Sequence, residues 1–205
     1  MNQNNIVIKH VEKWYGRKQA LQDINLTIEQ GMFGLLGRNG AGKTTLMKTL
    51  ATLLRKNAGQ ICVCGIPIED TKEIRRITGY LPQEFSIYPS MWVGEAMQYL
   101  GVLSGLNGKE RAERTQRLLA KVNLTEQRNK KVRALSGGMK RRLGIAQALL
   151  GDPKVLIVDE PTAGLDPEER IRFRNLLCEV AQERIVILST HIVGTSKRPV
   201  KTLRF

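Results

Sequence analysis

The sequence predicts an α/β fold in three parts. A core with a mainly parallel sheet feeds a phosphate-binding loop, an antiparallel β subdomain lies at the N-terminus, and an α-helical subdomain is inserted into the core. Three observations carry this. Gly37-Arg38-Asn39-Gly40-Ala41-Gly42-Lys43-Thr44 is a full G-x-x-x-x-G-K-[ST] loop, with an apolar run before it and a helical pattern after it. Val155-Leu156-Ile157-Val158 is wholly apolar, as a central parallel strand is, and ends in the acidic pair Asp159-Glu160. Between them, residues 92–150 switch to helical spacing. There a second glycine-rich turn, Leu135-Ser136-Gly137-Gly138, runs straight into a helix.

The elements follow in order. Ile6 to Val11 and Leu21 to Ile28 alternate with period two, as half-buried antiparallel strands do. Met32 to Leu36 is a short buried strand entering the loop, and Lys43 to Leu54 reads as a helix. Gln60 to Cys64 and Ile77 to Leu81 are further strands. Helices are expected over Val93 to Ser104, Lys109 to Val122 and Gly138 to Leu150, separated by Gly105-Leu106-Asn107-Gly108 and by a basic loop around Asn129. Pro167 to Glu183 is a helix with proline in its first turn, and Arg184 to Ser189 is the last strand. One domain over 1–205 results. Residues 1–83 and 151–193 make the core with its β subdomain, 84–150 the helical insert, and 194–205 an atypical basic tail without clear apolar periodicity.

Composition narrows the class. With 205 residues, 41 % hydrophobic and 25 % charged, the chain has the balance of a folded soluble domain. No apolar run approaches the ~18 residues needed to cross a bilayer, and Met1-Asn2-Gln3-Asn4-Asn5 lacks the basic and apolar parts of a signal peptide. The reading is cytoplasmic. Cys62, Cys64 and Cys178 make no disulfide framework and read as small buried apolar residues. The net charge of +14 is concentrated: residues 109–142 hold twelve Lys or Arg against three Glu, and the last twelve residues add four cations and no acid. An anionic membrane surface, a nucleic acid or a plain solvated helix face would each account for it. No aromatics interleave the cations, which argues against single-stranded nucleic acid.

The loop and the acidic pair carry the chemistry. Gly37, Gly40 and Gly42 let backbone N–H groups turn onto phosphate oxygens, and the helix behind them adds its positive end. Lys43 supplies a point charge for the β- and γ-phosphates, and the Thr44 hydroxyl is placed for Mg²⁺. Arg38, Asn39, Ala41 and Thr45 complete the expected cradle. Asp159 emerges at the C-terminal end of its strand as the Mg²⁺ partner. Glu160 follows as the group that orients and deprotonates a water aimed at the γ-phosphate. One triphosphate needs one such cradle, so the second glycine turn points to a paired site.

Taken together the chain resembles the nucleotide-binding subunit of an ABC (ATP-binding cassette) transporter, built on a P-loop NTPase core. Leu135-Ser136-Gly137-Gly138-Met139 is similar to the family signature, Gln83 to its Q-loop, Ala163-Gly164-Leu165-Asp166 to its D-loop and Ser189-Thr190-His191 to its switch histidine. Tyr15 resembles the aromatic that stacks on adenine, and the match runs from about Ile6 to Val193. Met139 followed by Lys140-Arg141-Arg142-Leu143 resembles ATPases of the ABC-2-type exporters.

The resemblance implies ATP and Mg²⁺ as ligands and a head-to-tail dimer, homo- or heteromeric. Each ATP would lie between Lys43 of one subunit and Ser136, Gly137 and Gly138 of the other, with Asp166 nearby. Gln83 would touch Mg²⁺ and the water, and His191 would hold the γ-phosphate near Glu160. Taken alone, Gln83 could be a surface residue and His191 a structural one. Phe85 to Trp92 reads either as a socket for a helix of an integral membrane permease or as packing under the insert.

The expected function is thus an ATPase that energises transport through a separate permease, held peripherally at the cytoplasmic face of the membrane, with no nucleic acid expected as partner. One alternative is a subunit that binds nucleotide without hydrolysis, because the chain leaves the family pattern after Val193 as if truncated or frameshifted. A non-transport ABC ATPase acting on nucleic acid or the ribosome is the other. Its usual coiled coil or second cassette has no counterpart between Gln83 and Ser136.

Overall fold

The computed structural model describes residues 4–38, 40–160, 165–190 and 201–204, the last four and Thr190 by backbone alone. β1 (Asn5–Tyr15) and β2 (Lys18–Glu29) form a long antiparallel hairpin, and β4 (Ala58–Val63) pairs with the other side of β1. A two-residue strand, β5 (Ile66–Pro67), closes that sheet in the order β2-β1-β4-β5. The expected antiparallel subdomain is therefore present at the N-terminus.

The second sheet is parallel throughout, in the order β6-β7-β8-β3-β9, built from β3 (Gly31–Leu36), β6 (Thr78–Leu81), β7 (Val155–Val158), β8 (Ile185–Thr190) and β9 (Lys201–Arg204). Strand alternation splits β7 between two cores. Val155 and Ile157 face the β subdomain with Ile185, Ile187, Leu46 and Met47, whereas Leu156 and Val158 face the helices with Leu143, Phe173 and Val186. All four β7 residues are buried, which is why no polar position interrupts the run.

The helical side comprises α3 (Val93–Leu103), α4 (Gly108–Lys121) and α5 (Gly137–Ala148), with α6 (Pro167–Val180) following β7. Asn107 caps α4 through the Glu110 N–H at 3.0 Å, and Asp166 caps α6 through the Glu169 N–H at 2.8 Å. The basic loop around Asn129 is tied to the start of α3, where the Val93 and Gly94 N–H groups donate to the carbonyls of Lys130 and Arg128. Several cations of the 109–142 stretch are already engaged: Arg114 donates to the Leu150 carbonyl, Lys121 pairs with Glu179 at 2.8 Å, and Lys131 lies over the Trp92 ring.

Several boundaries and elements differ from expectation. The helix after the phosphate loop, α1 (Lys43–Leu50), ends short of Leu54. Thr52 takes a left-handed φ of 58°, and the Leu53 N–H turns back to the Lys48 carbonyl at 2.8 Å, a Schellman-type stop. Likewise α6 stops at Val180, three residues early. A helix absent from the sequence reading, α2 (Thr71–Ile77), is capped by Asp70, whose carboxylate accepts from the Glu73 N–H at 3.3 Å. Its single buried residue, Ile74, leaves too little apolar periodicity to reveal it.

Arg184 to Ser189 is not the last strand: part of the basic tail, Lys201–Arg204, pairs parallel with β3 along Phe33 to Leu36. The exposed edge of β3 offers unpaired N–H and C=O groups, and backbone pairing needs no apolar alternation in the partner. Cys62 is only half-buried, and β4 ends before Cys64, whose φ of 50° takes it out of the strand.

Candidate functional site

The site lies at the C-terminal ends of the parallel strands, where β3, β8 and β7 stand side by side. The phosphate loop leaves β3 and enters α1 through Gly42, the N-cap, at φ 94°. A Cβ on Gly42 would stand 2.4 Å from the Ala20 carbonyl oxygen, so the loop is pressed against the β1–β2 hairpin. Gly40 also has positive φ, at 83°. The Ala41 N–H donates to the Arg38 carbonyl at 3.2 Å and closes the turn. Among the described residues no side chain caps α1, which leaves its first N–H groups directed at the loop's concavity.

Lys43 is only 5 % exposed, and its ammonium donates to the carbonyls of Gly37 (2.6 Å) and Arg38 (3.0 Å). A buried cation ringed by backbone dipoles suits an anionic phosphate chain. Thr44 and Thr45, both partly exposed, follow at the helix start. Tyr15 closes β1 and is 48 % exposed, with the Lys13 ammonium 5.5 Å from its ring centre. It stands on the hairpin that Gly42 abuts, free to offer a ring face.

Asp159 is 1 % exposed, and its N–H donates to the Leu81 carbonyl at 2.9 Å. Its carboxylate accepts from the Ser189 hydroxyl at 2.7 Å, and the same oxygen of Ser189 accepts from the Glu160 N–H at 2.6 Å. Glu160 sits at φ 43°, in the left-handed region that non-glycine residues seldom occupy. That turn sends the two adjacent carboxylates in different directions. The Gln83 amide donates to the Glu160 carboxylate at 2.8 Å. Gln83, Glu160, Ser189 and Asp159 thus form one hydrogen-bonded chain. Ser189 as the bridge was not expected; in sequence it is only the residue before Thr190-His191, and strand register alone sets it between the Asp159 carboxylate and the Glu160 N–H.

Tyr80 lies beneath this chain on β6. Burial, and then the charge of Asp159, pushes its phenol up to about 12, and its hydroxyl has no hydrogen-bond partner among the described residues.

The second glycine turn is built differently. Ser136 caps α5, accepting from the Met139 N–H at 3.2 Å, as its place before the helix predicts. Ser136 and Gly137 are exposed, and a Cβ on Gly137 would meet nothing within 4 Å among the described residues. Gly138 is buried: a Cβ there would stand 2.6 Å from the Glu169 carboxylate. Glu169 in turn pairs with the buried Arg142 at 3.5 Å and with Arg172 at 3.1 Å. Asp166, expected at the nucleotide, uses its carboxylate to cap α6. His191, Asn39 and Ala163-Gly164 lie outside the described residues.

The residues present fit ATP and Mg²⁺. The cradle at Gly42 admits no side chain, Lys43 supplies the charge, and Thr44 and Asp159 offer hard oxygen ligands. Among the described residues no cluster of three or more His, Cys, Asp or Glu stands ready for a metal. Mg²⁺ does not need one, since it commonly takes one or two protein oxygens and completes its shell from phosphates and water. Phe85, Ile87 and Met91 pack against the helical core, as the packing reading expects, whereas Tyr88 (62 % exposed) and Trp92 (44 %) stay at the surface. A surface cavity of about 240 Å³ opens between Phe85, Ile87, Lys140 and Leu143.

Comparison with known proteins agrees with this geometry. A family profile described as ABC transporter matches residues 21–163. The chain is 37 % identical over 194 residues to the Nod factor export ATP-binding protein I of Cupriavidus metallidurans, covering 93 % of this chain and 64 % of the relative. It is 35 % identical over 184 residues to the linearmycin resistance ATP-binding protein LnrL of Bacillus subtilis, covering 89 % and 59 %. The chain thus spans somewhat less than two thirds of the length of these relatives. Among solved structures, a dimeric post-hydrolysis state of the ATP-binding cassette MJ0796 bound to ADP and Pi matches with a TM-score of 0.80 at 27 % identity, covering 92 % of this chain and 88 % of that one. The cbiO1 structure from Clostridium perfringens, part of the ABC transporter complex cbiONQ, matches with a TM-score of 0.82 at 29 % identity, covering 91 % and 78 %. The export and resistance names of the two relatives are consistent with the exporter subgroup. This chain belongs to the ABC transporter family.

Proposed function

We propose that the chain is the ATP-hydrolysing subunit of an exporter, energising a separate integral membrane permease through ATP-driven pairing of two ATPase subunits. The observation that carries this is the contrast between a phosphate loop with its carboxylates in one chain and a second helix N-terminus, Ser136-Gly137, left open.

Lys43 and the loop N–H groups bind the β- and γ-phosphates, and Tyr15 stacks on the base. Thr44 and Asp159, with Gln83 nearby, would hold Mg²⁺, which would supply charge neutralisation at the phosphates when bound. Glu160 accepts the proton of the attacking water, Gln83 keeps its carboxylate aimed, and His191 steadies the γ-phosphate. Ser189 locks Asp159 and the Glu160 backbone together. Ser136, Gly137 and Gly138 of a second subunit close the site from the other side, and Asp166 keeps the neighbouring helix start in place. Met139 and the Lys140-Arg141-Arg142 run fit the exporter subgroup, whose relatives carry export and resistance names.

A helix of the permease would lie against the exposed rings of Tyr88 and Trp92 and insert a side chain into the cavity beside Phe85. The chain would then lie peripherally at the cytoplasmic face of the membrane; among the described residues no helix is long and apolar enough to cross it.

The test is Glu160→Gln in the full chain. Turnover is expected to fall ~10²–10⁴-fold while ATP binding persists, trapping an ATP-dependent dimer visible by light scattering. A monomer at saturating Mg-ATP would contradict the reading.

A further inference from the structure

We infer that Arg141 is a positioning residue that ties the signature helix of each subunit to that subunit's own Gln83 and catalytic carboxylates, so that closure around one nucleotide is felt at the other. The inference rests on the paired-site reading above and adds a route between its two sites.

Arg141 lies on α5, half-buried, and its guanidinium donates to the Pro82 carbonyl at 3.2 Å. Pro82 is the middle of three residues that are each engaged. The Leu81 carbonyl before it accepts from the Asp159 N–H, and the Gln83 amide after it donates to Glu160. One cation therefore grips a segment that holds the Asp159 backbone at one end and the Glu160 carboxylate at the other. Burial lowers the affinity of the Arg141 guanidinium for its proton, and the nearby charges of Asp159 and Glu160 oppose that, so the side chain stays a cation facing two anions.

The helix that carries Arg141 is not free to slide past this segment. A Cβ on Gly144 would stand 2.5 Å from the Leu81 side chain and 3.0 Å from that of Phe85, so α5 lies hard against the end of β6. About one and a half turns before Arg141 the same helix exposes Ser136 and Gly137, the groups assigned to the second subunit's nucleotide. A nucleotide held at that helix start pulls on a rod whose next turns are fixed to Pro82 and Leu81. Arg142, the next residue, turns the other way to Glu169 on α6, so Arg141 alone of the pair faces the Gln83 segment.

The test compares the full-length wild type with Arg141→Gln and Arg141→Lys, measuring ATP turnover across ATP and protein concentrations, ATP binding to dilute chain, and thermal unfolding. For Arg141→Gln, ATP affinity of the dilute chain is expected to stay within about twofold while kcat drops. The coupling between sites, on the order of 5–150-fold in wild type, is expected to vanish, so the Hill coefficient falls to about 1. Arg141→Lys restores part of both kcat and cooperativity. A wild-type Hill coefficient and kcat in Arg141→Gln would overturn the inference. So would loss of ATP binding and of thermal stability together in both variants, which marks a merely structural arginine. If wild-type specific activity does not rise with protein concentration, the paired-site reading itself fails, and this inference with it.

Discussion

The chain holds two glycine-rich helix starts, and they are finished in opposite ways. At α1 the N-cap is Gly42 with no side-chain cap, pressed on Ala20, with Lys43 folded into the loop and Asp159, Glu160 and Gln83 linked nearby through Ser189. At α5 the N-cap is a serine satisfied by its own helix, and Gly137 beside it faces open space. The first is a site with its chemistry in the same chain. The second is an exposed helix start, with open space beside Gly137 among the described residues. On the paired-site proposal, the two positive helix ends would serve one anionic phosphate chain once a second copy brings one opposite the other.

Variants that separate the two starts test this contrast. The largest effect is expected from Ser136→Arg, which fills the open start with a long cation. Turnover should fall by ~10³–10⁵-fold, the scale of completing a phosphoryl-transfer site in trans, while ATP binding by dilute chain is unchanged in equilibrium dialysis. Lys43→Ala should do the reverse and weaken ATP binding itself by ~10–100-fold, the weight of a charge-assisted contact. Equal loss of binding in both variants would erase the distinction.

Smaller effects appear in stability. Gly42→Ala and Gly138→Ala should each lower unfolding free energy by about 1–3 kcal/mol, because a Cβ would meet the Ala20 carbonyl or the Glu169 carboxylate. Gly137→Ala should leave it within ~0.5 kcal/mol, since a Cβ there meets nothing within 4 Å among the described residues. Any loss of turnover in that last variant must then arise in a second chain. Thermal melts beside ATPase assays read both quantities.

Much of this was legible in the sequence, for reasons that differ by element. The phosphate loop, the β7 run and the acidic pair are local patterns, so the parallel core and the glycine turn leading into α5 could be read directly. α2 escaped because a helix of seven residues with one buried position carries almost no periodicity. β9 escaped because its pairing answers an open edge on β3, far away in sequence. Ser189 escaped as a bridge because its role depends on β8 standing next to β7 in register. The dual demand on the signature glycines was hidden for the same reason: only the packing of Glu169 on α6 distinguishes Gly138 from Gly137.

The most direct measurement mixes two inactive variants of the full chain, Lys43→Ala and Ser136→Arg. In a head-to-tail pair, one mixed site carries both lesions and the other carries neither, so mixing should restore turnover that neither variant has alone, up to about a quarter of wild type for random pairing and below that ceiling to the extent that the two sites are coupled. Activity no greater than the sum of the two separate preparations, under conditions where the variants associate, would contradict the account.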